Sequence, residues 1–548
     1  MRILLLLVPV LVLAQPTAFR VRLGLHDKDP KAWDGSAAVT GGQLKRLENW
    51  RPRIGDRVDA AAWSLATQRG ENDPTRTPQR TAYAPQPVPY VLRPGLIVDV
   101  SSPSALVSFT TKQGAFRVNP QSLRATQASP FLNGAVLADP VPAADLLSDQ
   151  DYQDEFAAIA GGGKSVWTAW LAWRNDASQI LLRRNDGAGW GKPEPILPQP
   201  GDVHTVRLAY GGDGSLWVFW SQQAERNFDL YARRLRNGAW SAIERLTTDA
   251  EPDVFPRAAA DSAGNVWLVW QGFRNGQSDV LARRFDGSKW SAEELISASS
   301  ANDWEPEIAA DRSGHVYVAW DSYDRGDYDI QLRSFGQGRW SNVIPVAATP
   351  KYEAHVTLAC DRQDRLWIAW NESGFNWGKD VAYHVKPEGT PLHAWANAAV
   401  AVYQNGALRQ PVADVNNVWP EGHRSYHDFP VIHADARGRI WLLFRHRTVP
   451  ILDTPTMNPT DFAAWETYAI TLEGDRWSEP MPLPFSSGRG DMRSSVTNDA
   501  VGNLWAAWST DRRDFTGGQE PRCDVYAGRV PVPPSAPVEP ALQSIAPF

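Results

Sequence analysis

The chain repeats itself every 50 residues over much of its length, and this period constrains the fold more than any other feature. An aromatic pair recurs at Trp167/Trp170, Trp217/Trp220, Trp267/Trp270, Tyr317/Trp320 and Trp367/Trp370. Two more pairs, Trp441/Phe444 and Trp505/Trp508, come later at wider spacing. Seven copies of one supersecondary unit bury a core only by stacking on their neighbours.

One copy, residues 255–296, reads as four strands. A short extended run, 257–260, meets the turn Asp261-Ser-Ala-Gly264, with a carboxylate first and glycine where a positive φ is wanted. Residues 265–270 form a β-branched and aromatic strand, and 279–285 a third. Asp286-Gly287 is a tight hairpin, and Trp290 opens the fourth strand. The first turn recurs as Asp311…Gly314, Asp435…Gly438 and Asp499…Gly502. This grammar predicts an all-β chain, a seven-bladed β-propeller of four-stranded blades over residues 148–530. The paired aromatic residues read as filler between blades.

The last copy lacks its fourth strand. Residues 531–548 begin with Pro531-Val-Pro-Pro, and proline removes ladder donors, so a loose tail is expected. A matching strand stands upstream, after the turn Asn133-Gly134. Residues 131–147 are therefore expected to complete the seventh blade and leave no exposed edge. Residues 15–130 do not share the repeat. Strand-like runs at 19–25, 60–66, 96–100 and 106–110 suggest a small β-domain, β-sandwich-like, ahead of the ring.

Residues 1–14 read as a secretory signal cleaved after Ala14: Arg2 precedes an apolar run, 3–13, too short to span a bilayer. The reading predicts a secreted or periplasmic protein with no membrane span. A net charge of −7 without a basic run argues against a nucleic-acid partner. The two cysteines, Cys360 and Cys523, fall on or beside strands two blades apart and read as buried thiols. No metal-site spacing and no cofactor motif is present, and the oligomeric state is not encoded.

The repeat resembles that of bacterial secreted propellers in the broad sialidase-like group, over residues 131–530. The hallmark of that group, the Asp-box Ser-x-Asp-x-Gly-x-Thr-Trp, lies between third and fourth strands. Here the Asp261-to-Gly264 turn is one residue longer and lies between the first and second. The resemblance therefore implies a related or convergent propeller without true Asp-boxes, and no set of catalytic residues transfers with it.

Site residues are nominated by repeat position, because the loops leading into the innermost strands and those after each aromatic pair share one face. Copies five and six depart most: the interval between pairs stretches from 50 to 74 and then 64 residues, and seven of ten histidines lie between His355 and His446. Blades that only build a ring need no insertions, whereas a binding face does. The expected catalytic residues are His427, Asp428 and His446, with histidine beside a carboxylate serving as acid or base. The expected ligand-binding residues are His204, Glu353, His355, His423, Arg424, Tyr426, Arg445, Arg447, Asp491 and Arg493. Arginine forks suit carboxylate, sulfate or phosphate, and Trp304 or Trp377 could stack on a sugar. The leading expectation is a secreted propeller that binds a carbohydrate or other anionic ligand. The alternatives are a glycoside hydrolase or polysaccharide lyase acting on an acidic sugar, and a protein-interaction scaffold.

Overall fold

The computed structural model describes residues 144–148, 153–297, 299–374, 377, 396–419, 427–447, 465–486, 488, 492–511 and 523–545; before residue 144 it describes strand segments by their backbone. The expected signal, 1–14, and the strand-like run 60–66 lie outside the described residues. No described helix is long and apolar enough to cross a membrane.

The chain divides into two units. The N-terminal unit holds two antiparallel sheets. One orders Gly42–Leu47, Leu96–Val100, Ala18–Leu25, Gly134–Val141 and Gln127–Ser129, with Val91–Leu92 also on Ala18–Leu25; the other orders Ser36–Thr40, Leu106–Thr111 and Gly114–Val118.

The larger unit is the ring. Its seven innermost strands are Gln153–Gly162, Val203–Tyr210, Asp253–Ala260, Asp303–Ala310, Glu353–Cys360, His427–Ala434 and Ser495–Asn498, taken below as blades 1 to 7. Each pairs with the strand that carries an aromatic pair, and that strand with the next outward. Two carboxylates explain why the aromatic pair repeats. The turn aspartate holds the first member: Asp261 accepts from Trp267 Nε1 at 2.8 Å, Asp361 from Trp367 at 2.7 Å, and Asp435 from Trp441 at 3.0 Å. An aspartate at the start of the inner strand holds the second: Asp154 accepts from Trp170 Nε1 at 2.8 Å, Asp253 from Trp270 at 2.7 Å, and Asp303 from Trp320 at 3.0 Å. These six indoles are thus satisfied inside the ring. Burial of each adds roughly 1.5–3 kcal/mol.

The ring closes through its upstream segment. Ala144–Leu146 pairs with Asp524–Val530 as the outer strand of blade 7, and Leu147 N–H donates to Val525 O at 2.8 Å. The structure divides residues 131–147 between the units, because Gly134–Val141 pairs with Ala18–Leu25 instead. In the sequence only Pro142 and Ala143 stand between the two paired stretches.

The tail is not loose along its whole length. Leu542–Ser544 adds a fifth strand to blade 5, on Ala407–Pro411, and Ala541 N–H donates to Gly474 O at 2.8 Å. The last proline before this strand is Pro540, so residues 541–545 keep every ladder donor. Neither cysteine is in a disulfide.

Candidate functional site

The inner strands carry a fault that builds the site. In blades 1 to 6 one extra residue interrupts the register: in blade 2 it is His204, between Val203 and Thr205, and in the others it falls between Glu155 and Ala158, Val254 and Arg257, Trp304 and Glu307, Ala354 and Thr357, and Asp428 and Val431. Phe156, Phe255, Glu305, His355 and Phe429 sit in these bulges with φ of 58°, 52°, 45°, 61° and 46°. Positive φ in non-glycine residues costs energy and persists only where the surroundings impose it. Bulges re-aim side chains, and here all five line the central cavity, of about 480 Å³. Thr205 and Arg493 complete the level from blades 2 and 7. Two residues further along the strands, Arg207, Arg257, Glu307 and Thr357 line a second level.

His355 is the centre of the first level. Its Nδ1 lies 3.0 Å from Glu305 Oε2, and its Nε2 lies 3.2 Å from the Tyr352 hydroxyl. Arg493 crosses from blade 7, with its guanidinium 4.3 Å above the Phe429 ring, and donates through Nη2 to Glu305 Oε2. That same Nη2 is 3.0 Å from His355 Nδ1. A single ring nitrogen cannot both accept from Arg493 and donate to Glu305. The carboxylate is the stronger acceptor, so Nδ1 carries hydrogen toward Glu305 and Nε2 accepts from Tyr352. Beneath, Asp321 accepts the His355 N–H at 2.7 Å and the Val356 N–H at 3.3 Å.

Burial favours the neutral form of the Glu305 carboxyl, but the charges of Arg493 and then His355 outweigh it and hold it well below the usual range. Burial pulls the His355 imidazole down, yet Glu305 outweighs it, so the value ends above an ordinary histidine. Burial, then the nearby Asp321 and Asp428, push the Tyr352 phenol well up. At neutral pH the phenol is therefore a proton donor and Glu305 a fixed anion.

The second level is short of negative charge. Arg257 Nε pairs with Glu307 Oε2 at 3.1 Å. Arg207 donates to the carbonyl of Val206 at 2.8 Å and has no carboxylate ion pair among the described residues. Burial, then the charge of Arg257, push its guanidinium well below the ordinary value, against the opposing charges of Glu307 and Glu305. Three arginines, Arg207, Arg257 and Arg493, face three glutamates, Glu155, Glu305 and Glu307, on the wall, so protonation of His355 gives it a positive excess.

Glu305, Asp321 and His355 place ligand atoms within 4.8 Å of one another, enough to consider a metal ion. Arg493 already occupies the Glu305 oxygen, and both Asp321 oxygens accept backbone amides. The donors are therefore spent on hydrogen bonds, and the cluster is organised for proton sharing.

The structure separates the expected site residues. His355 and Arg493 meet in the cavity, and His204 stands at its wall, edge-on to Phe255 at 5.0 Å. His427 and His446 pack instead in the core of blade 6 around Trp419, 5.8 and 3.8 Å from it between ring centroids. Burial pushes His427 down to about 3, so its ring is neutral at neutral pH, and it does not line the central cavity. Arg445 is buried, donating to Thr467 Oγ1 and the Trp465 and Ser486 carbonyls, so it ties strands rather than a ligand. Glu353 accepts from the Thr349 N–H at 3.1 Å and its hydroxyl, away from the cavity wall. Asp428 accepts the Phe429 N–H at 3.0 Å, and burial raises its carboxyl. His423, Arg424, Tyr426 and Asp491, and the side chain of Arg447, lie outside the described residues. Trp377 is buried against Tyr352.

Arg207, Arg257, Glu307 and Asp321 were not among the expected residues. Their signal lay in the repeat. Across blades 1 to 7 the position of the positive-φ residue, or its repeat equivalent, reads Phe, Thr, Phe, Glu, His, Phe, Arg, and the position two further on reads Ala, Arg, Arg, Glu, Thr, Val, Ser. The position four places on, by contrast, is alanine in blades 1 to 5.

No family model matches the chain, and no curated protein matches it. Solved structures do. A Hadza microbial sialidase aligns over 94% of this chain and 94% of its own, with 12% identity and a TM-score of 0.38. A polysaccharide lyase described as an ulvan lyase aligns over 66% of this chain and 92% of its own, with 11% identity and a TM-score of 0.42. An α-L-arabinanase of Penicillium chrysogenum aligns over 60% and 93%, with 11% identity and a TM-score of 0.38.

Proposed function

We propose that this protein is a carbohydrate-active enzyme that takes an acidic sugar into the central cavity and cleaves it by elimination. The observation that carries the reading is His355, held between Glu305 and Tyr352 on a wall that also presents Arg207. An arginine with no carboxylate ion pair among the described residues suits a carboxylate, and the rings of Phe156, Phe255 and Phe429 offer apolar faces beside it.

The protonation states set the chemistry. Neutral His355 takes the proton from the carbon that bears the carboxylate. The electron pair forms a carbon–carbon double bond and expels the glycosidic oxygen from the next carbon. That oxygen leaves with a proton, for which the Tyr352 phenol is the donor at hand. Arg207 stabilises the charge that grows on the carboxylate during proton removal. Hydrolysis by a pair of carboxyl groups fits less well, because Glu305 is held ionised by Arg493 and Glu307 is tied to Arg257.

The test is incubation of the mature protein with uronate-containing polysaccharides, monitoring the ultraviolet absorbance of the new double bond. Wild type and His427→Ala are expected to release unsaturated product, and His355→Ala to release none. Saturable binding without product in the wild type would make the protein a binder of acidic carbohydrate. Product from His355→Ala at the wild-type rate would remove His355 from the chemistry.

A further inference from the structure

One position, immediately after each aromatic pair, serves the neighbouring blade. In blades 1 to 7 it is Leu171, Ser221, Gln271, Asp321, Asn371, Arg445 and Ser509. In blades 3 to 5 its side-chain oxygen accepts the bulge amide of the next blade. Gln271 accepts from Glu305 N at 3.4 Å, Asp321 from His355 N at 2.7 Å, and Asn371 from Phe429 N at 2.9 Å. Ser509 accepts from Ala157 N, beside the bulge of blade 1, at 3.4 Å. The cap holds a costly backbone conformation in place, and a neutral oxygen suffices for it, as Asn371 shows.

Asp321 is the single carboxylate among the seven. It is buried, and it lies under His355, with oxygens of Asp321 and Glu305 and a nitrogen of His355 within 4.8 Å of one another. Its charge exceeds what the cap requires. We propose that Asp321 is a positioning residue that fixes the bulge carrying His355 into the cavity and, through its charge, sets the pH at which His355 releases its proton. The functional part of this inference rests on the reading of His355 as the proton-moving group.

The groups facing His355 are Glu305 and Asp321 of blade 4, Tyr352 of its own loop, Asp428 of blade 6 and Arg493 of blade 7. Glu305 and Arg493 keep their charges across the neutral range, and Tyr352 stays protonated. Burial raises the Asp428 carboxyl. Burial and the Glu305 charge push Asp321 up to about 7, and His355 too ends above an ordinary imidazole. The two therefore respond to each other's ionisation.

The experiment is Asp321→Asn, which keeps an oxygen for the amides and removes the charge. The His355 imidazole is titrated by NMR in ligand-free protein and assigned by the resonance missing from His355→Gln. The expected result is a midpoint lower by about one unit, with little change in thermal stability and the acid limb of the turnover profile displaced equally. An unchanged midpoint would reduce Asp321 to a cap like Asn371 and overturn the proposal. A second measurement needs no variant at position 321: in the wild type the Asp321 carboxyl carbon is expected to titrate together with the His355 imidazole. A carboxyl that stays protonated through the whole imidazole transition, and so carries no charge to act with, would overturn it equally. Both titrations are read without substrate, so their result is separate from whether any acidic sugar is cleaved.

Discussion

Arg493 of blade 7 and Glu305 of blade 4 form an ion pair across the ring, with the guanidinium resting on Phe429 of blade 6 as it passes. Three blade positions separate the partners, so the contact spans the channel rather than running along its wall. The pair is partly shielded from solvent, with side-chain exposures of 29% and 22%. A double-mutant cycle of Arg493→Gln and Glu305→Gln, read by urea unfolding of the ring, is expected to give a coupling of about 1–2 kcal/mol.

Turnover is expected to rise with pH through a value above that of an ordinary imidazole, about 6.5. Glu305 sets the sign, because it holds His355 in its protonated form, whereas proton abstraction needs the neutral ring. In Glu305→Gln the rise is expected to move to lower pH. A kcat/KM profile checks both limbs.

Stability is expected to have the opposite slope. Burial raises Asp154, Asp253 and Asp329 to about 6, and Glu353 and Asp321 to about 7. Between the ordinary carboxylate range and these values the folded state binds more protons than the unfolded chain, so stability falls as pH rises. His355, raised above its unfolded value, adds stability below that value and loses it as pH climbs through the folded one. His427 and His433, pushed down by burial to about 3 and about 4, act the other way, but only below the ordinary imidazole range. The thermal midpoint by circular dichroism is therefore expected to be higher at about pH 6 than at about pH 8.

The two strands that join the ring late in space differ in their burial. Leu147 is 1% exposed and packs with Trp170, Trp505 and Val525, whereas Leu542–Ser544 is half-buried to exposed on the outside of blade 5. Leu147→Ala is expected to cost about 2–5 kcal/mol. Removal of residues 541–548 is expected to cost less. Urea unfolding of the two variants side by side checks the order.

The fold was legible because its determinants are local and repeated. A turn aspartate and the indole it holds, such as Asp261 and Trp267, stand six residues apart in sequence and recur together. The site was harder to read because its residues are joined only by ring closure. Glu305, His355 and Arg493 converge from three blades, and no spacing in the chain announces that contact. His427 shows the converse. It stands beside Asp428 in a histidine-rich stretch that looks chemical, yet it is the first residue of an inner strand, the position at which Asp253 and Asp303 reach back into the blade. The bulge residue two places later faces the channel. A strand alternates its faces, and a bulge moves the alternation by one. Without the bulge in view, the residue types alone do not show which neighbour faces the channel.

The strand at Ala144–Leu146 waits for a partner nearly four hundred residues later, at Asp524–Val530. During synthesis, six blades can stack in order as they emerge, each against the one before, while the first keeps an open flank. Only the last strands of the chain can bring the two ends of the array together. Closure is thus a long-range event delayed to the end of folding. Until then the unpaired flanks are the surfaces on which two unfinished chains could pair with each other instead.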